Sequence, residues 1–199
     1  PKKFNLIELG AGNGEMIFQI LKTFERFPLI KESCKINILE KSVYLKKIQK
    51  KKLKNYDINW LSDLNYLSNS PSIFIANEFF DALPIKQFFK IKNKWMERFV
   101  KLDKNNNRNF INIFSNIKKI EKKVQFKISK NQTIIEYSPL GMEYIKKIAK
   151  KINNKKGALL IIDYGYIEEK MKDTLSAIRK HNIANVLDQI GNSDITYSL

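Results

Sequence analysis

Cysteine and histidine are almost missing from this chain, with Cys34 and His181 the single instances in 199 residues. One cysteine excludes an internal disulfide and a Cys-based metal cluster, and it favours a reducing compartment. One histidine leaves no zinc motif, so no metal site is expected. His181, in TLSAIRKH, reads as a structural or surface side chain rather than a base. No apolar run approaches the roughly 20 residues needed to span a bilayer, and no basic start followed by an apolar stretch marks a signal peptide. A soluble chain is expected. No internal repeat is present. Pro1 stands where Met would begin a chain, three residues before an apolar strand, and no closing element precedes Leu199; both ends read as those of a piece of a longer protein.

Arginine is scarce as well, and that bears on the net charge of +17. Of 37 basic residues only Arg26, Arg98, Arg108 and Arg179 are arginine, leaving 33 lysines in a chain also rich in Asn and Ile. Basic faces bind nucleic acid through phosphate contacts. Here the excess reads as a bias of composition, because the pairs Lys46/Lys47, Lys146/Lys147 and Lys150/Lys151 fall opposite apolar helix positions, as on a solvated face. A nucleic-acid partner is not expected. With 43% hydrophobic residues, 13 Phe and 8 Tyr, the chain has material for one sizeable core, and residues 1–199 read as a single domain.

Hydrophobic periodicity sets out the architecture. Phe4 to Leu9 is a short apolar run ending in Gly10, and Glu15 to Phe27 then carries Ile17, Ile20, Leu21 and Phe24 at helical spacing. Lys35 to Glu40 is a second strand, followed by the Lys-rich helical stretch Ser42 to Lys54. Ile58 to Leu61 and Ser72 to Asn77 read as the third and fourth strands. This rhythm predicts an α/β protein with an open, mostly parallel, doubly wound sheet of the Rossmann-like kind. Residues 86–128 differ in texture: FKIKNKWMERFVKL alternates like a hairpin turning near Asn93 and Lys94, and the whole reads as an inserted β region. Ser138 as N-cap and Pro139 at the first helical position open a helix with Met142, Ile145, Ile148 and Ile152 on one face. Ala158 to Ile162 is a continuous apolar run, as expected of a strand covered on both faces.

Chemistry concentrates at strand ends. In ELGAGNG the spacing after the first strand is G-x-G-x-G with an acid two residues before Gly10, unlike the dinucleotide pattern G-x-G-x-x-G. This is the methyltransferase form. Glu8 suits a cationic or amino-bearing ligand, and a pyrophosphate would be repelled by it. Gly10, Ala11, Gly12 and Gly14 let the backbone approach that ligand. Glu40 ends the second strand, 26 residues after Gly14, where a carboxylate accepts both ribose hydroxyls; NAD and S-adenosylmethionine sites share this feature. Asp63 follows the third strand and is a candidate for the adenine amino group, with a turn or cap as the alternative. Asn77, Glu78 and Asp81 in ANEFFDALP cluster at the end of the fourth strand, where two carboxylates suit a guanidinium. A helix cap by Asp81 is the alternative there. Asp163 and Tyr164 end another strand and are read as pocket-lining.

ANEFFDALPIKQF, with Trp95, Glu97 and Arg98 soon after, then EYSP, LLIIDYGY, TLSAIRKH and GNSDIT, resembles the MidA family of methyltransferases linked to mitochondrial complex I assembly. The motifs run in the family's order along nearly the whole chain. The resemblance implies a seven-stranded class I fold, S-adenosylmethionine as methyl donor, and a protein arginine of a complex I subunit as acceptor. It assigns Glu8, Gly10, Gly12, Gly14 and Glu40 to the cofactor and Glu78 and Asp81 to the acceptor. The compartment implied is the mitochondrial matrix in a eukaryote or the cytoplasm in a bacterium. The family's Ala-His-Val continuation after SDIT is replaced by Tyr197, Ser198 and Leu199. Two rival readings are an assembly module that keeps the fold without the chemistry, and a nucleic-acid methyltransferase. The latter lacks the Asn/Asp-Pro-Pro-Tyr loop that suits flipped bases.

Overall fold

Continuous apolar stretches form parallel strands in this chain, and alternating stretches form antiparallel ones. The computed structural model describes residues 2–188 and 191–199. The order is β1 (Phe4–Leu9), α1 (Glu15–Phe24), α2 (Pro28–Ser33), β2 (Cys34–Leu39), α3 (Val43–Lys52), β3 (Ile58–Leu61), a 3-10 turn (Leu64–Tyr66) and β4 (Ser72–Asn77). Then follow β5 (Lys86–Ile91), β6 (Lys94–Leu102), β7 (Arg108–Phe114), α4 (Ile117–Val124), β8 (Ile134–Tyr137), α5 (Pro139–Lys155), β9 (Gly157–Ile162), β10 (Ser176–Arg179), β11 (Asn182–Ala184) and β12 (Asp194–Thr196). Chain contacts divide these into two units: Pro1–Phe80 with Glu143–Asp163, and Asp81–Met142 with Tyr164–Leu199.

The first unit holds a five-stranded parallel sheet in the order β3-β2-β1-β4-β9. These are five of the seven strands the resemblance implies. One sheet face sets Leu6, Ile36, Ile38 and Ile58 against Ile17 and Leu21 of α1 and Leu53 just after α3, a buried cluster. The other face carries Ile7, Leu9, Leu39 and Phe74, all buried. α5 contributes buried Tyr144 and Ile148, and its Lys147 and Lys151 bond Asp63 and the Leu67 carbonyl on the β3–β4 connection. Two lysines read as solvated thus have structural partners.

Other expectations need correction. α1 stops at Phe24 rather than running to Phe27, because the residue before a proline avoids the helical region: Phe27 is at φ −130°, ψ 79°, and Pro28 opens α2. On α5, Ile148 of the expected Met142–Ile145–Ile148–Ile152 stripe is buried and Met142 and Ile152 are half-buried, but Ile145 is exposed and Tyr144 takes its place in the core. β9 is not covered on both faces. It is the sheet edge, paired to β4 alone among the described residues, and Leu160, Ile161 and Ile162 are 52%, 40% and 47% exposed. Its entry is nonetheless tightly built. Gly157 has φ +151°, and a Cβ there would stand 2.0 Å from the Ser72 carbonyl oxygen, so only glycine lets β9 meet β4 at this register.

The second unit contains two antiparallel sheets, β7-β6-β5-β8 and β11-β10-β12. β5 and β6 form a two-residue hairpin whose turn is Lys92 and Asn93, both at positive φ, the type I′ requirement. Residues 86–128 hold β5, β6, β7 and also α4, which was read as β. Its lysines hide an amphipathic pattern: Ile120 and Val124 pack with Phe88, Trp95 and Ile135. His181 lies in the β10–β11 turn at φ +65° and is exposed, as a surface side chain should be.

Candidate functional site

The register of the parallel sheet decides which residues meet. β1 pairs with β2 so that Leu9 faces Leu39, and with β4 so that Leu9 faces Ala76; the three strands therefore end level. After β1 the chain moves to β2 and β3 on one side, then crosses to β4 on the other. The carboxyl ends of β1 and β4 thus flank the switch point, where such sheets bind ligands.

From β1 the chain enters the turn Gly10–Gly14. Gly10, Gly12 and Gly14 have φ of +65°, +53° and +80°, which side chains rarely adopt. The turn is fixed by Gly10 N–H to the Leu39 carbonyl (2.9 Å) and Gly14 N–H to the Ala11 carbonyl (2.7 Å). Gly14 is the N-cap of α1 and brings no side chain, but Asn13 Oδ1 accepts from the Glu15 N–H (3.0 Å) and so satisfies one of the helix's first donors. Phe79, two residues beyond β4, lies across the turn: a Cβ on Gly10 would stand 2.7 Å from its ring. Phe79 is held edge-on by Phe80 and Tyr144, each at 5.3 Å.

Two carboxylates border the turn. Glu8 is 4% exposed, and its Oε2 has no hydrogen-bond partner. Burial pushes its carboxyl up to about 7, against the opposing pull of the Ile17 N–H. An unpartnered buried carboxylate oxygen calls for a donor, and a ligand ammonium is such a donor. Glu40 follows β2 and is also buried. Its Oε1 accepts from the Ser42 N–H (2.8 Å) and its Oε2 from Gln49 Nε2 (2.9 Å). Each oxygen keeps a further lone pair for a ribose hydroxyl.

Asp63 stands differently. Its Oδ1 accepts from the Asn65 N–H (2.7 Å), capping the 3-10 turn, and its Oδ2 pairs with Lys147 (3.0 Å). Those bonds, the backbone one first, hold its carboxyl below the usual range. The cap weighed against an adenine contact is the geometry displayed.

At the end of β4, Asn77 is exposed. Glu78 is exposed at φ +46°, its N–H bonded to the Ile162 carbonyl (2.9 Å). A non-glycine residue held at positive φ is strained, and such strain collects at functional loops. Asp163, at the end of β9, accepts from the Phe80 N–H (3.1 Å) and so steadies the loop carrying Glu78 and Phe79. Tyr164 is exposed, and its carbonyl accepts from Leu199 N–H (2.9 Å). In the second unit Asp81 is buried, and its Oδ2 accepts from Thr196 Oγ1 (2.7 Å).

Sequence reasoning missed Gln49, Ser42 and Phe79. Gln49 had a signal: it sits four residues from both Leu45 and Leu53, a polar residue on the apolar stripe of an otherwise Lys-rich helix. Phe79 had none beyond the oddity of two Phe between acids.

An open parallel sheet with a glycine turn, a buried acid before it and a second acid after β2 defines a Rossmann-like nucleoside-cofactor fold. Residues 1–199 match the family described as "Putative S-adenosyl-L-methionine-dependent methyltransferase", and the chain belongs to that family. It is 30% identical over 234 aligned residues to protein arginine methyltransferase NDUFAF7, mitochondrial, of Xenopus laevis, covering 98% of this chain and 50% of the relative. The protein of the same name from Homo sapiens is 27% identical, with 97% and 49% covered. The chain thus spans about half the length of the curated relatives it matches. A Burkholderia thailandensis protein, described as a likely methyl transferase bound to S-adenosyl-homocysteine, superposes with a TM-score of 0.78 at 18% identity, over 99% of this chain and 53% of its own. The likeness to that structure is one of fold.

Proposed function

We propose that the protein transfers a methyl group from S-adenosylmethionine to an arginine side chain of another protein. The observation that carries this reading is Glu8, a buried carboxylate with an unpartnered oxygen beside the glycine turn and the N-terminus of α1. That oxygen fits the ammonium of an amino-acid head group through a charge-assisted hydrogen bond. Glu40, with free lone pairs on both oxygens, suits the ribose. S-adenosylmethionine, when bound, supplies an electrophilic methyl on a sulfonium. The chain's own residues align the acceptor: Glu78 is suited to hold a guanidinium by charge-assisted hydrogen bonds, and Asn77 to orient it. A carboxylate near the attacking nitrogen also takes the proton released as the C–N bond forms. Phe79 roofs the glycine turn and keeps water from that side.

The arginine acceptor follows from the named relatives, and the resemblance to complex I assembly methyltransferases makes a respiratory complex I subunit the first acceptor to test. That setting implies the mitochondrial matrix or the bacterial cytoplasm; among the described residues no helix is long and apolar enough to cross a membrane. Incubation with labelled S-adenosylmethionine and complex I subunits, followed by mass spectrometry, is expected to find methylarginine, and E78Q is expected to abolish it while binding the cofactor normally. Full turnover by E78Q would remove Glu78 from the site. Methylation confined to other residue types would overturn the arginine reading.

A further inference from the structure

Gln49 of α3 is fully buried, yet it is no core residue by chemistry. Its Nε2 donates to the Gly12 carbonyl (2.8 Å) and to Glu40 Oε2 (2.9 Å), using both hydrogens. Its Oε1 accepts from Trp60 Nε1 (3.0 Å) on β3. A primary amide is the one side chain that donates twice from one atom and accepts at another, and here every one of those bonds goes to a different structural element. Burying such a group without its bonds is costly, so the three partners hold Gln49 and Gln49 holds them. Two of the three lie in the candidate cofactor site: the glycine turn and the acid after β2.

We propose that Gln49 is a positioning residue of the cofactor site: anchored on the Gly12 carbonyl and the Trp60 indole, it sets the Glu40 carboxylate in the geometry that receives the ribose. This deepens the methyltransferase reading and rests on it. Without Gln49, Glu40 keeps the Ser42 N–H on Oε1 but can turn about its last bond. The role is indirect, because Gln49 spends all its donors within the protein. Trp60 extends the arrangement outward: its ring also takes the Lys50 ammonium at 5.6 Å, which leaves the indole N–H directed to Gln49.

The test is a double-mutant cycle read by calorimetric titration with S-adenosylhomocysteine, on wild type, Q49L, E40Q and E40Q/Q49L. Loss of a charge-assisted bond predicts that Q49L weakens binding on the order of tenfold. In the E40Q background the same change is expected to cost no more than about twofold, because its effect passes through Glu40. Q49E keeps the volume but sets a second carboxylate against Glu40, and is expected to weaken binding more than Q49L. A 5′-thioadenosine analogue lacking both ribose hydroxyls is expected to bind wild type and Q49L alike. Undiminished affinity in Q49L or Q49E, or a Q49L loss equally large in the E40Q background, would overturn the positioning role while leaving the methyltransferase reading intact. Absence of binding by the wild type would instead overturn the reading itself, and the proposal with it.

Discussion

The proposed pairing of Glu8 with a ligand ammonium predicts that cofactor binding depends on pH. Moving its carboxyl from 4.5 to about 7 corresponds to about 3 kcal/mol between the protonated and ionised forms, and desolvation is the main cause. The folded chain therefore holds a proton on Glu8 that the unfolded chain has already lost. Stability from this group is complete below pH 4.5 and falls as pH rises to about 7. A ligand ammonium reverses the preference by favouring the carboxylate. At pH 6 about one Glu8 in ten is ionised and at pH 8 about nine in ten, so affinity should rise about tenfold across that range. The assay is titration of wild type and E8Q with S-adenosylhomocysteine at pH 6, 7 and 8, taking the ratio of the two affinities so that any titration of the ligand cancels. The ratio should climb with pH, and ligand-free E8Q should melt above ligand-free wild type at pH 8, since the amide carries no charge to bury. A ratio that stays flat, with equal melting at pH 8, would refute the assignment of Glu8 to the ammonium.

Further outcomes follow from local geometry. Gly10→Ala meets both a positive φ and the Phe79 ring at 2.7 Å, and should cost about 2 kcal/mol in thermal unfolding. Gly12→Ala faces open space and should cost only about 1 kcal/mol. Ser138 caps α5 through the Gly141 N–H (3.0 Å) and donates to the Pro84 carbonyl (2.8 Å), so S138A should lower denaturant stability by about 1–2 kcal/mol. Burial pushes the Cys34 thiol up to about 11, and an aromatic disulfide reagent at pH 8 should label it far more slowly than free cysteine.

The parallel sheet was legible because buried strands read as unbroken apolar runs: Phe4–Leu9, Ile58–Leu61 and Ser72–Asn77 carry the predicted bounds. The glycine turn and the acid after β2 were legible for the same reason, since their places are counted from those strands. What was hidden depends on contacts remote in sequence. Nothing in IKKIEKKV announces that Ile120 and Val124 meet Phe88 and Ile135, so its helical spacing was lost within a β-like region. ALLII reads as a covered strand, because covered and edge strands differ only in their neighbours. β10 and β12 pair across residues too mixed to show alternation. Gln49 was overlooked because a glutamine among lysines reads as solvated; only the fold brings Glu40, Gly12 and Trp60 to it.

The central claim is that the glycine turn, Glu8 and Glu40 form a site for a sulfonium nucleoside. Calorimetric titration of the chain with S-adenosylmethionine and, separately, with NADH tests it most directly. Micromolar binding of S-adenosylmethionine alone, weakened at least tenfold by E40A, is the predicted result; binding of NADH in its place, or of neither by folded protein, would contradict it and favour an assembly role for the fold.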